Sequence, residues 1–184
     1  MIMDGFPMGA WTRSGLIVDG ARCVNRCRVL WLQTPVWYAD IRLPGPSRPV
    51  LTDGPEAVFS RPWAFAGTAV WSPPVMTWHH HLDSMRGPIS DTNPLQRQGD
   101  LLVEAGTLKW AGLAIPFREE WRRLSRDHDD VTVRADTNCI EVTIGKWRIL
   151  IQDDRPSGLF RASGQTFEAG AWRTWGTILD RIRP

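Results

Sequence analysis

Short strand-like segments, broken at close intervals by Gly and Pro, run through most of this sequence. Segments rich in β-branched and aromatic residues at such short spacing are typical of an all-β sandwich or barrel. They are Arg28–Thr34, Trp37–Leu43, Trp63–Trp71, Val75–Asp83, Leu101–Ala105, Val131–Ala135, Cys139–Gly145, Lys146–Gln152, Leu159–Phe167 and Ala171–Ile178. We therefore predict a single all-β domain of about 8–10 strands with little helix over residues 23–184. Residues 1–22 show little periodicity, and we expect an irregular N-terminal lead-in there.

One segment, Ile115–Ser125, fits both a helix and a strand. Phe117, Trp121 and Leu124 recur at helical spacing, and Glu and Arg are good helix formers. Phe117, Glu119 and Trp121 also alternate along one face of a strand. Because the neighbouring segments are all strand-like, we favour a strand.

The tryptophan content is unusual for a chain of 184 residues, with eleven Trp and one Tyr. Trp is the bulkiest apolar side chain and carries one N–H donor, so eleven of them are hard to bury in one dry core. Some should line a cavity or meet a partner. An antiparallel β-barrel of about eight strands can enclose one small ligand, and we favour a barrel over a sandwich.

Composition and charge argue against several classes of partner. The net charge of +2 provides no large field for capturing nucleic acid or an anionic membrane. No apolar run approaches the roughly 20 residues that span a bilayer, and the N-terminus does not resemble a signal peptide. Three cysteines suit free thiols in a reducing compartment. We expect a cytoplasmic protein, a monomer or homodimer, without a nucleic-acid or membrane partner.

Polar side chains alternate with apolar ones on the first two segments. Trp31 and Gln33 share one face of the first segment. On the second, Tyr38, Asp40 and Arg42 form a polar face opposite an apolar one. This polar row either faces water or lines a cavity, where Asp40 and Arg42 would balance each other's charge.

The segment WHHHLD at residues 78–83 is the most unusual short motif. Strict alternation places Trp78, His80 and Leu82 on one face and His79, His81 and Asp83 on the other. Two His at i and i+2 can reach one metal, and a single His can serve as an axial haem ligand. Because no further ligand pattern accompanies them, we expect no metal and no cofactor.

Two acidic residues, Glu104 and Glu119, could face either water or a cavity. Glu104 stands in LLVEAG, and Glu119 precedes Trp121 by two positions. Each is either exposed or buried toward a cavity, where burial raises a carboxyl pKa and suits it to acid–base chemistry. Nucleotide-binding loops, the nucleophile elbow G-x-S-x-G and H-E-x-x-H are absent from the sequence, which argues against nucleotide-dependent and triad-hydrolase chemistry.

Several of these blocks resemble a lipocalin-like, calycin-type family of small bacterial and fungal proteins that includes a fungal protein-kinase-interacting protein. The similar blocks are WLQTPVWYADIRLP from Trp31, FAG with WHHHLD from Phe65, GDLLVEAG with FREEW from Gly99, and WRILIQDDR from Trp147. The resemblance implies a calycin-type barrel and a strand through Phe117. It further implies that Asp40 and Arg42 point inward, and it supplies no agreed reaction.

Two functions from different classes fit this pattern. In the first, the barrel binds an apolar, aromatic or polycyclic small molecule, with Trp31, Gln33, Arg42, Trp78, Glu119 and Trp121 as ligand contacts. In the second, the same cavity is a cofactor-independent isomerase, cyclase or lyase whose proton-transfer groups are Glu104, His80, Asp40 and Tyr38. A third hypothesis is an interaction protein whose exposed Trp residues bind a partner.

Overall fold

The computed structural model describes residues 5–24, 27–45, 54–85, 90–154 and 157–181, which form fourteen β-strands. A short 3-10 helix at Pro55–Ser60 is the only helix in those ranges. The strands are β1 (Gly9–Val18), β2 (Ala21–Arg22), β3 (Cys27–Gln33), β4 (Trp37–Pro44), β5 (Trp63–Ser72), β6 (Val75–Asp83), β7 (Ser90–Gln98), β8 (Leu101–Trp110), β9 (Leu113–Arg123), β10 (Val131–Ala135), β11 (Cys139–Ile144), β12 (Trp147–Asp154), β13 (Leu159–Glu168) and β14 (Ala171–Arg181). The all-β prediction is confirmed.

Eight of these strands close into an antiparallel barrel, which confirms the predicted architecture and is consistent with a lipocalin-like fold. Strands β3 to β9 pair in chain order, and β1 pairs with β3 on one side and with β9 on the other. The two-residue β2 extends the end of β1. Closure satisfies the main-chain groups that an open sheet would leave at its edges.

The first barrel strand lies in the stretch predicted to be irregular, so that prediction is wrong over residues 9–18; residues 1–4 lie outside the described part. Strand β1 buries Trp11 and Arg13 inside the barrel, and a bulge between Arg13 and Gly15 interrupts its pairing with β9. A charged residue at an inward position and a bulge both break the apolar alternation by which a strand is recognised.

The segments after residue 130 form a second sheet instead of additional barrel strands. Strands β10 to β14 pair in chain order as a separate five-stranded antiparallel sheet. Its apolar face, with Ile140, Ile151 and Phe160, packs against Leu30 and Ile41 on the outside of the barrel. Strands β3 and β4 are therefore buried on both faces, because one face fills the barrel and the other meets the second sheet.

A bulge between β5 and β6 overturns the predicted faces of the WHHHLD segment. Ala66 pairs with Leu82, but the next residue, Gly67, pairs with His80, so His81 is the extra residue. Beyond the bulge the alternation reverses: Leu82 packs outward under the second sheet, and Asp83 joins His80 inside. Gly67 is required here, since a Cβ would collide with the carbonyl oxygen of His79.

The two remaining uncertain segments are both strands. The disputed segment Ile115–Ser125 falls largely in β9, which confirms the predicted strand. Strand β7 carries no apolar alternation, because only Leu95 of its nine residues is buried, and it was not predicted.

Packing of the second sheet on the barrel predicts a large cost for shortening a side chain at their interface. Ile151 is fully buried there, so Ile151→Ala should lower the free energy of unfolding by about 2–5 kcal/mol in chemical denaturation. Leu179, on the last strand of the same sheet, is 65% exposed, and Leu179→Ala should change that free energy by less than about 0.5 kcal/mol. Equal effects of the two substitutions would show that the second sheet is not packed as described.

Candidate functional site

Every predicted site residue is buried, and together they occupy the barrel interior. The apolar members belong to one cluster with Trp11, Phe65 and Leu102. The predicted residues are Trp31, Gln33, Tyr38, Asp40, Arg42, Trp78, His80, Glu104, Glu119 and Trp121. The apolar face of β4 turns toward the second sheet, so its polar row, Tyr38 to Arg42, is left to face the interior.

Tryptophan rings fill one end of the barrel. Trp31 stacks on Trp11 at a centroid distance of 6.0 Å and meets Trp78 and Trp121 edge-on at 5.8 and 5.2 Å. These four are buried, and the other seven Trp are half-buried. Because no Trp is exposed, docking through a surface Trp cluster is disfavoured.

Two adjoining cavities lie beside this Trp cluster. The inner cavity, about 30 Å³, is lined by Trp31, Tyr38, Asp40, Arg42, Phe65, Trp78, Asp91, Glu104 and Trp121. The outer cavity, about 300 Å³, is lined by Arg42, Val58, Phe59, Trp63, Asp91, Asn93, Glu104, Thr107, Leu108, Phe117, Glu119, and Ser90 and Thr92 of β7. Arg42, Asp91 and Glu104 line both, so the two cavities share a wall.

Four charged side chains in this region compensate one another. Arg13 Nη1 lies 2.6 Å from Glu119 Oε1, and Arg42 Nη1 lies 3.8 Å from the same oxygen. Arg42 also donates a hydrogen bond from Nε to Asp40 Oδ1 at 3.1 Å. Two cations thus balance two anions, as burial of charge requires.

Burial and pairing act in opposite directions on this network. Burial raises the pKa of Asp40, and the neighbouring Arg42 only partly opposes that rise. Burial by itself would lower the pKa of Arg42, but the charges of Asp40 and Glu119 outweigh it and raise that pKa. Arg42 therefore stays charged, with its guanidinium 5.2 Å from the ring centre of Trp63.

Glu104 lies between the two cavities and is held by neutral donors. Asn93 Nδ2 donates to Oε1 at 2.8 Å, and Trp121 Nε1 donates to Oε2 at 3.2 Å. Glu119 is its direct cross-strand neighbour. Burial, followed by the charge of Glu119, raises the pKa of Glu104 to about 8. At neutral pH the group is mostly a protonated carboxylic acid facing the cavities.

His80 lies behind Asp91, outside the walls of both cavities. Its Nδ1 lies 2.6 Å from Asp83 Oδ2, and its ring stacks on Phe65 at a centroid distance of 4.4 Å. Its Nε2 lies 3.2 Å from Asp91 Oδ2, in a geometry that makes no hydrogen bond. Burial lowers the pKa of His80, but the hydrogen bond with Asp83 and the negative charges of Asp91 and Asp83 outweigh it, and the pKa lies above its usual value.

The donors that line the inner cavity fall into two groups. Trp78 Nε1 donates to Gln33 Oε1 at 3.1 Å, and the Trp121 N–H is used by Glu104. By contrast, Trp31 Nε1 and the Tyr38 hydroxyl are buried with no hydrogen-bond partner in the described part of the chain. Burial and the nearby charge of Asp91 raise the pKa of Tyr38, so its hydroxyl keeps its proton.

Four polar residues of the site were missed at the level of sequence. Arg13 lies on the unpredicted β1, and Asp91 and Asn93 lie on the unpredicted β7. Asp83 was assigned to the wrong face because the bulge at Gly67 cannot be seen in the alternation. The only available signal was the spacing of Asp91, Asn93 and Leu95, which alternate along β7.

The histidines proposed as an alternative metal pair lie on the outside of the barrel. His79 and His81 are both exposed, and His81 Nε2 lies 3.2 Å from the Thr68 hydroxyl. Asp83, the expected third member of their face, is turned away into the interior. Across the described residues, no group of three or more His, Cys, Asp or Glu side chains is arranged to hold a metal ion.

Comparisons with known proteins were made at three levels. No family model, no curated protein and no solved structure matches the chain significantly. In the described ranges, none of the helical structure is long and apolar enough to cross a membrane.

The raised pKa of Glu104 predicts a pH-dependent stability that Glu104→Gln removes. The folded protein binds a proton that the unfolded chain releases above its ordinary pKa of about 4.5. The stability contributed is therefore complete below about pH 4.5 and is lost as the pH rises through 8. Relative to the variant, the natural protein should lose up to about 1.4 kcal/mol of unfolding free energy per pH unit between pH 5 and 8.

The control for this experiment is Glu168→Gln, at an exposed site on β13. Its unfolding free energy should follow that of the natural protein across the same pH range in urea titrations. A constant difference between Glu104→Gln and the natural protein from pH 5 to 8 would contradict the raised pKa.

Proposed function

We propose that this barrel binds a compact small molecule, with the ligand's apolar body in the outer cavity and its polar end directed to the inner one. The observation that carries the proposal is the pair of adjoining cavities whose shared wall is Arg42, Asp91 and Glu104. A cavity that combines aromatic walls with convergent polar groups is a usual arrangement of a ligand site.

The size and lining of the cavities support a ligand of one or two rings. Phe59, Trp63 and Phe117 supply aromatic walls to the outer cavity, and Phe59 contacts Phe117 at a centroid distance of 5.0 Å. A volume of about 300 Å³ is at the lower end of the range for ligand pockets. The Trp cluster packs against itself, so a polycyclic molecule would have to displace it to enter the interior.

Two further observations agree with this proposal. Several residues that resemble the lipocalin-like family, among them Trp31, Asp40 and Arg42, line the inner cavity, and we propose that the chain belongs to that family. All three cysteines are free, which agrees with a reducing compartment such as the cytoplasm.

Filling the outer cavity should abolish binding without touching the polar network. Leu108 is half-buried on the inward face of β8 and lines that cavity, and Leu108→Trp would occupy the space of the ligand body. With 1-aminonaphthalene, a two-ring fluorophore whose emission shifts in apolar surroundings, we expect saturable binding to the natural protein. The variant should bind at least tenfold more weakly, about 1.4 kcal/mol.

The matched control is Thr132→Trp, at an exposed position of β10 in the second sheet. It should bind the fluorophore as the natural protein does. Native mass spectrometry of the purified protein would additionally report a retained ligand by its mass. Equal binding by all three proteins would contradict the proposed site.

A second candidate, an acid–base enzyme on the same cavity, is favoured by the cross-strand pair Glu104 and Glu119. Glu104 is held by neutral donors, whereas Glu119 is ion-paired to Arg13. Adjacent carboxyls in different environments are the usual basis for separate acid and base roles. His80 would then act through Asp91 as a positioning residue.

The two candidate functions predict different hydrogen exchange in a ligand recovered from the purified protein. Incubated in D₂O with the natural protein, a substrate should gain deuterium at a carbon, and Glu104→Gln should stop this gain while binding persists. A bound ligand that gains no carbon-bound deuterium with either protein would favour a carrier.

A further inference from the structure

We propose that the inner cavity binds a hydrogen-bond-accepting oxygen of an uncharged ligand, of the kind carried by an aryl ketone, through the Tyr38 hydroxyl and Trp31 Nε1. This inference rests on the proposed binding function and specifies the polar end of the ligand. It follows from which polar groups lining the inner cavity already have partners and which do not.

Two of the three acidic side chains lining the inner cavity are already supplied with donors. Asp40 receives the Nε–H of Arg42, and Glu104 receives an N–H on each oxygen, from Asn93 and Trp121. The third, Asp91, lies 3.2 Å from the imidazole of His80 without a hydrogen bond, and its side chain is 41% exposed, so water can supply its donors. At Asp40 and Glu104, a donor group of a ligand would therefore compete with bonds that exist.

The donors lining the same cavity are in surplus. Trp31 and Tyr38 are 3% and 0% exposed, and neither the indole N–H nor the hydroxyl has a partner in the described ranges. An unsatisfied buried polar group costs about 1–3 kcal/mol. An entering group that accepts hydrogen bonds removes this cost at two places, and the O–H of a protonated Glu104 is a third donor.

The volume of the inner cavity limits the size of the entering group. About 30 Å³ holds one or two water molecules, or a single carbonyl oxygen with its carbon, but no ring. The ring of the ligand would remain in the outer cavity, between Phe59, Trp63 and Phe117.

The charge of the surroundings disfavours an ionic ligand oxygen. Arg13 and Arg42 balance Glu119 and Asp40, while Asp83 and Asp91 share the single imidazole of His80. Even with His80 protonated, the set carries one negative charge in excess. A ligand carboxylate or phenolate would be repelled by this excess negative charge, whereas an uncharged ketone oxygen accepts the same hydrogen bonds without repulsion.

Three one-ring probes of nearly equal shape test the inference. Acetophenone carries the acceptor oxygen, α-methylstyrene has a CH₂ group in its place, and 1-phenylethylamine carries an ammonium group. In titrations followed by Trp fluorescence, acetophenone should bind about tenfold or more tightly than either of the others. With a ¹³C-labelled carbonyl, its infrared stretching band should move to lower frequency on binding.

Tyr38→Phe tests whether the preference for acetophenone comes from a hydrogen bond or from the shape of the probe. It should remove most of the preference for acetophenone over α-methylstyrene and most of the infrared shift, while binding of α-methylstyrene stays within about twofold. Because the hydroxyl has no protein partner, the variant should melt at the same temperature as the natural protein or at a higher one.

Several outcomes would overturn the inference. They are equal binding of acetophenone and α-methylstyrene, tightest binding of the amine, an unchanged preference in Tyr38→Phe, or a marked loss of stability in that variant. If none of the three probes binds, the inference fails. The proposed function is then judged separately, by the two-ring fluorophore and Leu108→Trp.

Discussion

The ion pair between Arg13 and Glu119 is the interaction on which the barrel depends. It joins β1 to β9, the two strands whose pairing closes the barrel, and both side chains are almost completely removed from water. A single unpaired charge at such a site costs several kcal/mol, so neither strand can reach its place without the other. Arg13 also donates to the carbonyl of Phe59, which fixes the 3-10 helix beside the outer cavity.

Burial of β3 and β4 on both faces connects this interior to the rest of the molecule. The outward face, with Leu30 and Ile41, is covered by the second sheet. Once that face is taken by an apolar interface, the polar row of β4 can point only into the barrel. The second sheet therefore acts on the site indirectly, since it determines the orientation of Asp40 and Arg42 without contributing a residue to the cavities.

The two ends of the barrel interior differ: the Trp cluster fills one, and the polar side chains lie with the outer cavity at the other. The Trp cluster leaves little space at its own end, so only the end lined by Phe59, Trp63 and Phe117 offers room for a ligand. Where the two ends meet, Glu104 and Tyr38 are buried beside a cavity too small for a ring. Burial keeps the Glu104 carboxyl and the Tyr38 hydroxyl protonated, so both can donate a hydrogen bond to a bound ligand. The same groups can serve proton transfer if the ligand has a bond that reacts.

Strand alternation was sufficient to group side chains by face where the local backbone is regular, but it left open which face points inward. Trp31 and Gln33, the row Tyr38 to Arg42, and Glu119 with Trp121 share faces as a period of two predicts, and those faces point into the barrel. The same rule failed at Asp83, because one bulge beside Gly67 shifts the alternation by a residue. It was also uninformative for β1 and β7, whose inward positions hold Arg13, Asp91 and Asn93, so that no apolar period marks them.

The sequence by itself determined the all-β class, most of the strands and, within regular strands, which side chains share a face. Those properties depend on local propensity and on a period that adjacent residues share. Only the tertiary structure decided that β1 closes the barrel and that residues 131–181 cover it as a second sheet. It also decided that Asp91 and Asp83 flank His80. These features depend on pairing between residues far apart in the chain, where burial of charge and the covering of an apolar face select the partner, and no local pattern carries that information.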